Sequence, residues 1–263
     1  MIELSVLDLG LAGALVIVGA LAVAFLRLDV THALVIAALR AILQLFLIGL
    51  VLKALFGSIH LGWVSLMAAI MLSVAGWEVM VRQHRPFRGG WGYGTGTLSM
   101  FLSSFTVTLF ALTAIIQPAP WYHPQYAIPL LGMLLGNTMN GIALGVDRLT
   151  EDAWEKRQVI EARLMLGHSW SEAIGPIRQS SVRSGLIPII NAMATAGVVS
   201  LPGMMTGQIL AGASPVQAAK YQILILLLIS GGTILGTTVA VWIGSRRLFD
   251  ERQRLRLDRL RTS

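Results

Sequence analysis

QAAKYQILILLLISGGTILGTTVAVWI, residues 217–243, is an apolar run interrupted by one charged side chain, Lys220. A helix needs about 20 apolar residues to cross the hydrocarbon core of a bilayer, so this stretch reads as a membrane span. Ser214, Pro215 and Gln217 supply N-cap, N1 and N3 start signals ahead of it. Working outward, comparable runs occupy residues 7–26, 33–56, 61–81, 95–117 and 126–146, with a shorter one at 185–201. Residues 202–213 suit an external loop or a re-entrant segment. The expected fold is all-α: a polytopic integral membrane protein of about seven transmembrane helices, forming one domain over residues 1–263.

Composition supports this reading. Hydrophobic residues make up 55% of the chain and charged residues only 13%, against roughly 25% charged in soluble domains. There are no cysteines, which excludes thiolate metal sites and a cysteine nucleophile. The net charge of +7 fits positive charge retained at the cytoplasmic face better than a nucleic-acid partner. Arg82, Arg85 and Arg88 follow the third run, the 147–184 loop is heavily charged, and the 246–263 tail carries Arg246, Arg247, Arg252, Arg254, Arg256, Arg259 and Arg261. The 117–125 loop has neither Lys nor Arg. An N-out, C-in chain satisfies every loop. The first run has Glu3 and Asp8 at its start and Arg27 after it, so it is expected to be a retained span rather than a signal peptide.

Within the long polar loop lies EARLMLGHSWSEAIGPI, residues 161–177. Charges and apolar residues interleave at helical spacing from Asp147 to Leu166, with Asp152 and Lys156 at i,i+4. This predicts that span five continues as a helix beyond the membrane. Gly167 ends that helix. Ser169 and Glu172 then form an S-x-x-E capping box for a short second helix, which Gly175 and Pro176 are expected to stop. Trp170, Ala173 and Ile174 are its expected contacts with a partner; the competing reading is an amphipathic helix lying on headgroups. The glycine-rich 89–97 segment follows Pro86 and is read as a flexible hairpin.

Polar groups inside the spans are candidates for a translocation path, because burying them in lipid is costly. Arg40 and Gln44 lie one turn apart in span two; pairing of Arg40 with Glu78 is the structural alternative. In span five, Gly132, Gly136 and Asn140 share a face beside Asn137 and Gly141, a small-residue pattern that also suits close helix packing. Asn191 and Thr195 stand one turn apart in span six, near Pro188. Met133, Met139, Met193, Met204 and Met205 are soft ligands better suited to Cu(I) than to harder metals, and are expected to be packing residues. No metal site emerges from the spacing of Glu78 or the five histidines.

The E-A-x-x-x-x-G spacing with a later Ile, carried by Glu161, Ala162, Gly167 and Ile177, resembles the coupling loop of ABC transporter permeases. Four segments, ALRAILQL (38–45), GMLLGNTMN (132–140), EARLMLG (161–167) and GVVSLPGMMTGQILAGASPVQAAKYQI (197–223), resemble the FetB-type permease family, linked to iron export and, in plants, to aluminium tolerance. The resemblance implies a permease subunit in a bacterial-type inner (plasma) membrane that exports a metal ion; because one seven-span chain is small for a whole pathway and ATP sites in such machines come in pairs, a homodimer is expected. It also implies that a separate P-loop ATPase binds ATP and Mg and docks on the loop through Glu161, Ala162, Gly167, Trp170, Ala173, Ile174 and Ile177. In one respect the chain departs from importers, whose motif ends I-x-L-P: here Ile177 is followed by Arg178, Gln179 and Ser180. The chain has no G-x-x-x-x-G-K-[ST] loop of its own, so it is expected to bind no nucleotide and to be no enzyme. The alternatives are a gradient-driven transporter or channel, in which Arg40 and Glu78 would be coupling groups, and a membrane-embedded enzyme, for which no catalytic motif is present.

Overall fold

The computed structural model describes residues 5–26, 30–57 and 59–261; Glu3 and Arg27, used above to orient the first run, lie outside them. The described residues are helical throughout apart from loops and isolated bridges. Two compact units divide the chain at residues 59 and 60.

The first unit is a pair of helices, α1 (Val6–Phe25) and α2 (Thr31–Phe56), packed against each other. Ser5 and Asp8 cap α1 reciprocally: the Ser5 amide donates to Asp8 Oδ2 at 2.8 Å and the Asp8 amide to Ser5 Oγ at 3.3 Å. Leu7, Leu11, Leu15 and Leu21 of α1, and Leu39, Leu43, Leu45 and Phe46 of α2, are all exposed. Helices apolar on every side need a lipid solvent to cover them.

The second unit contains α3 (Leu61–Val81), α4 (Trp91–Met100), α5 (Thr106–Phe110), α6 (Pro124–Glu155), α7 (Arg157–Met165), α8 (Trp170–Ala173), α9 (Gly175–Thr195), α10 (Gly203–Leu210) and α11 (Pro215–Arg247). Two π-helical segments, Phe101–Phe105 and Ala111–Ile116, join α4 and α5 into one span over Trp91–Ile116. The central helix is α6, with α3, α9 and α11 packed round it. The directions follow from the contacts. A Cβ at Gly141 would stand 2.7 Å from Thr237 Oγ1 and 3.1 Å from the Gly185 carbonyl oxygen, while one at Gly145 would lie 3.4 Å from the Ser181 carbonyl. Positions therefore rise along α6 as they fall along α9, so these helices are antiparallel. Gly244 meets Leu149 and Gly236 meets Thr138, so α11 runs parallel to α6.

Among the described residues six helices are long and apolar enough to span a membrane, namely α1, α2, α3, Trp91–Ile116, α6 and α11. The seventh expected span, 185–201, is displaced. The helix there is α9, which starts ten residues earlier, at Gly175, and ends at Thr195. Its first half carries Arg178 and Arg183, so it falls short in apolarity and not in length: 21 residues at about 1.5 Å each reach about 30 Å. It runs antiparallel to α6 but is not among the helices apolar enough to span. Residues 202–213 form the eight-residue α10 and its flanks, too short to span.

Other expectations need correction. The helix leaving span five breaks at Lys156 (φ −98°, ψ 23°) and resumes as α7. The short helix α8 does stop just before Gly175 and Pro176, but the same two residues begin α9, with proline in its first turn, where its missing N–H costs nothing. The glycine-rich 89–97 segment is no flexible hairpin: from Trp91 it is helical, and Gly96 packs on Val79 of α3. The basic tail packs back on the loop after α3. Phe87 and Leu260 form an antiparallel bridge, both 1% exposed, and Arg261 donates its amide to the Pro86 carbonyl at 2.9 Å.

Candidate coupling surface and translocation face

The three basic segments meet at one end of the second unit. Arg85 pairs with Glu151 at 3.3 Å and lies 4.5 Å from the Trp154 ring centroid, tying the 82–90 loop to α6. Asp152 is 1% exposed and is bracketed by Arg148 at 3.0 Å and Lys156 at 3.1 Å. Ser180 Oγ of α9 donates to the same carboxylate at 3.4 Å. These contacts hold α6 and α9 together where they leave the bundle.

From this frame hangs the loop. Gly167 adopts φ 89°, a conformation glycine reaches without a Cβ penalty. The expected capping box of α8 is present: the Ser169 amide donates to Glu172 Oε2 at 2.8 Å, and the Glu172 amide returns to Ser169 Oγ at 3.4 Å. That hydrogen bonding, from the Ser169 side chain first and its backbone second, holds the Glu172 carboxyl below its ordinary range. Trp170 is half-buried, with its amide donating to Gln253 Oε1 at 2.9 Å and its ring 5.8 Å from Phe249.

Burial sorts the loop residues. Ala173, Ile174 and Ile177, expected to face a partner, are 3%, 0% and 7% exposed and belong to the main apolar core. Glu161, Ala162 and Gly167 are exposed. The outward apolar surface is instead made by Val159, Met165 and Leu166, the last two about four-fifths exposed. With Ala162 they recur every three to four residues and so share one face of α7. The sequence reading missed them because the family-like spacing drew attention to α8.

Along α6, Met133, Gly136, Asn137, Asn140 and Leu144 form the one stripe not covered within the unit. Asn140 Oδ1 accepts from Arg82 Nη1 at 2.7 Å, and Arg82 Nε stands 3.7 Å from Glu78. Arg82, Asn140, Ala143, Leu144, Asp147 and Pro188 line an open cavity of about 340 Å³ between the end of α3, α6 and α9. Asp147 accepts the His84 amide at 2.7 Å and lies 3.1 Å from His84 Nδ1. That hydrogen bond, then the charge of Asp147, raises the imidazole pKa. Asn137 is exposed and its side-chain amide donates to the Met133 carbonyl of its own helix, while the Asn191 backbone carbonyl accepts from Thr195 Oγ1 in α9. Arg40 and Gln44 are exposed on α2 of the other unit. The structure thus joins Asn140 to Arg82 and Asp147, two residues the sequence suggested only as loop charges. Gly132 and Gly136 do not make the tight helix contact; Gly141 and Gly145 do. No group of three or more His, Asp or Glu residues able to hold a metal exists among the described residues.

Long apolar helices with broadly exposed apolar side chains define a polytopic, all-helical membrane protein. Residues 6–249 match the Uncharacterised protein family (UPF0014), and the chain belongs to that family. It is 40% identical to UPF0014 membrane protein slr1647 of Synechocystis sp., over 94% of this chain and 93% of that protein. It is 31% identical to the Probable iron export permease protein FetB of Escherichia coli, over 84% and 83%, and 32% identical to Protein ALUMINUM SENSITIVE 3 of Arabidopsis thaliana, over 78% and 72%. No solved structure matches the chain.

Proposed function

We propose that this chain is the membrane-spanning permease subunit of an ABC transporter in the inner membrane, exporting a metal ion while a separate P-loop ATPase binds and hydrolyses ATP with Mg. The observation that carries the reading is the exposed apolar face Val159–Ala162–Met165–Leu166, hung from a rigid buried frame at the basic end of the bundle. A solvent-facing apolar helix on a fixed mount is suited to docking in a partner groove, and the name of the Escherichia coli relative supports transport and iron as cargo. Two copies of the chain would enclose the α6 stripe with Asn137 and Asn140, giving a polar path between them. Movement of the ATPase would act on α7 and α8 and, through Ile174 and Asp152, on α9 and α6. The positive-inside rule puts the basic end in the cytoplasm.

The test is co-purification of the tagged chain from detergent-solubilised membranes with a P-loop ATPase, alongside Met165→Glu and Leu166→Glu. Both changes fall on exposed side chains and leave the core intact. Recovery with the native chain and loss with both variants supports the reading. An ATPase that stays bound to both variants refutes α7 as its seat, and the absence of any ATPase refutes the transporter class.

A further inference from the structure

A second cavity, of about 330 Å³, opens where the Trp91–Ile116 span and α11 end together. Trp91, Trp242, Arg246, Arg247 and Arg259 line it together with Asp250 and Glu251. The arginines have unequal tasks. Arg259 is committed to the helix terminus, its Nη1 donating to the carbonyls of Arg247 at 2.7 Å and Phe249 at 3.2 Å. Arg247 is stacked 4.4 Å from the Trp91 ring centroid, and its enclosed Nε makes no hydrogen bond. Arg246 lies 5.3 Å from the Trp170 ring. The acidic groups do not balance them. Asp250 is taken by Arg254, which donates from Nε at 2.9 Å and from its amide at 2.8 Å, which leaves the exposed Glu251 as the other carboxylate of the lining.

Trp91 and Trp242 are about half exposed. Tryptophans at the ends of two spans sit at headgroup depth. A net-positive cavity at that depth, with apolar walls and Arg246 and Arg247 in its lining, has the chemistry of a site for a phosphate anion. We propose that this cavity binds the phosphodiester of an anionic phospholipid, with Arg247 and Arg246 on the phosphate and Trp91 and Trp242 along the upper acyl chains. The proposal depends on the membrane fold alone and stands whether or not the chain docks an ATPase.

Native mass spectrometry of the full chain in detergent tests it, with phosphatidylglycerol and phosphatidylcholine of identical acyl chains as probes. Phosphatidylglycerol should be retained preferentially, and Arg247→Gln and Arg246→Gln should each cut that retention by about fivefold. Because Arg247→Gln could disturb the α11 terminus, Trp242→Ala, at an exposed side chain, is run beside it, and thermal unfolding without lipid reports folding. Equal retention of the two lipids, or a preference unchanged in Arg246→Gln and Trp242→Ala, would overturn the proposal. Inorganic phosphate forms the remaining arm: if it alone stabilises the native chain as much as phosphatidylglycerol, and the arginine variants lose both effects, the site belongs to a soluble phosphate and the lipid assignment is overturned.

Discussion

At Gly141 the backbones of α6 and α9 approach so closely that a methyl group would meet the Gly185 carbonyl at 3.1 Å and Thr237 Oγ1 at 2.7 Å. Gly141→Ala should therefore destabilise by about 1–3 kcal/mol, since an overpacked core must shift its neighbours. Gly136→Ala has nothing within 4 Å and should change the melting temperature in detergent little. Equal effects of the two would refute the close crossing. His84 offers a pH test at the same scale. Its pKa is raised from the ordinary 6.5 by the hydrogen bond to Asp147, then by that group's charge. The contact therefore stabilises fully below 6.5 and is lost as pH rises through the raised value. Melting from mildly acid to mildly alkaline pH should show this loss, and His84→Gln should flatten it. Glu172 has the opposite sign: its pKa is lowered from 4.5, so its cap is present above that value and fails as pH falls through the lowered one.

Among the elements, α8 is a single turn fixed by its ends. Ser169→Ala removes the cap, at a cost of about 1 kcal/mol, and hydrogen exchange at the Glu172 amide should quicken while α6 amides stay protected. This helix was legible in the sequence because capping is local chemistry: Ser, Glu and the intervening spacing suffice. The same locality told only half at Gly175–Pro176. Proline after a helix end and proline in a first turn look alike in one dimension, and only the packing of Ile177 and Ser181 against the core shows that a long helix starts there. The break at Lys156 was likewise unreadable, because the i,i+4 pairing with Asp152 persists up to it. The outward face of α7 was visible as Val159, Ala162, Met165 and Leu166 at helical spacing, but apolar residues at helical spacing predict a core as readily as a surface.

Over the whole molecule, the tail closes the basic end. Leu260 is buried against Phe87, Arg88 donates its amide to the Arg259 carbonyl at 2.7 Å, and Arg256 returns its amide to the Leu248 carbonyl at 2.8 Å. Leu260→Ala should cost about 2 kcal/mol, at the low end for a buried leucine because the site lies near the surface. The variant should also become sensitive to limited proteolysis near Arg88. Unchanged melting and unchanged cleavage would show that the tail is not part of the fold. Seven arginines dominate the 246–263 segment and set its side of the membrane in the sequence; Leu255, Leu257 and Leu260 between them are the signal that it packs.

Sequence by itself determined the solvent and the element type. Transfer of 20-residue apolar runs into lipid and the need to satisfy every backbone hydrogen bond there leave only helices, and the cap of α8 follows from neighbours three residues apart. Tertiary structure decided which surfaces are free. Whether Ile174 or Leu166 faces outward, whether Gly141 or Gly136 makes the tight crossing, and which group each arginine of the cavity is held by all depend on residues distant in the chain. Burial is a property of what packs against a side chain, and spacing along one helix cannot supply it.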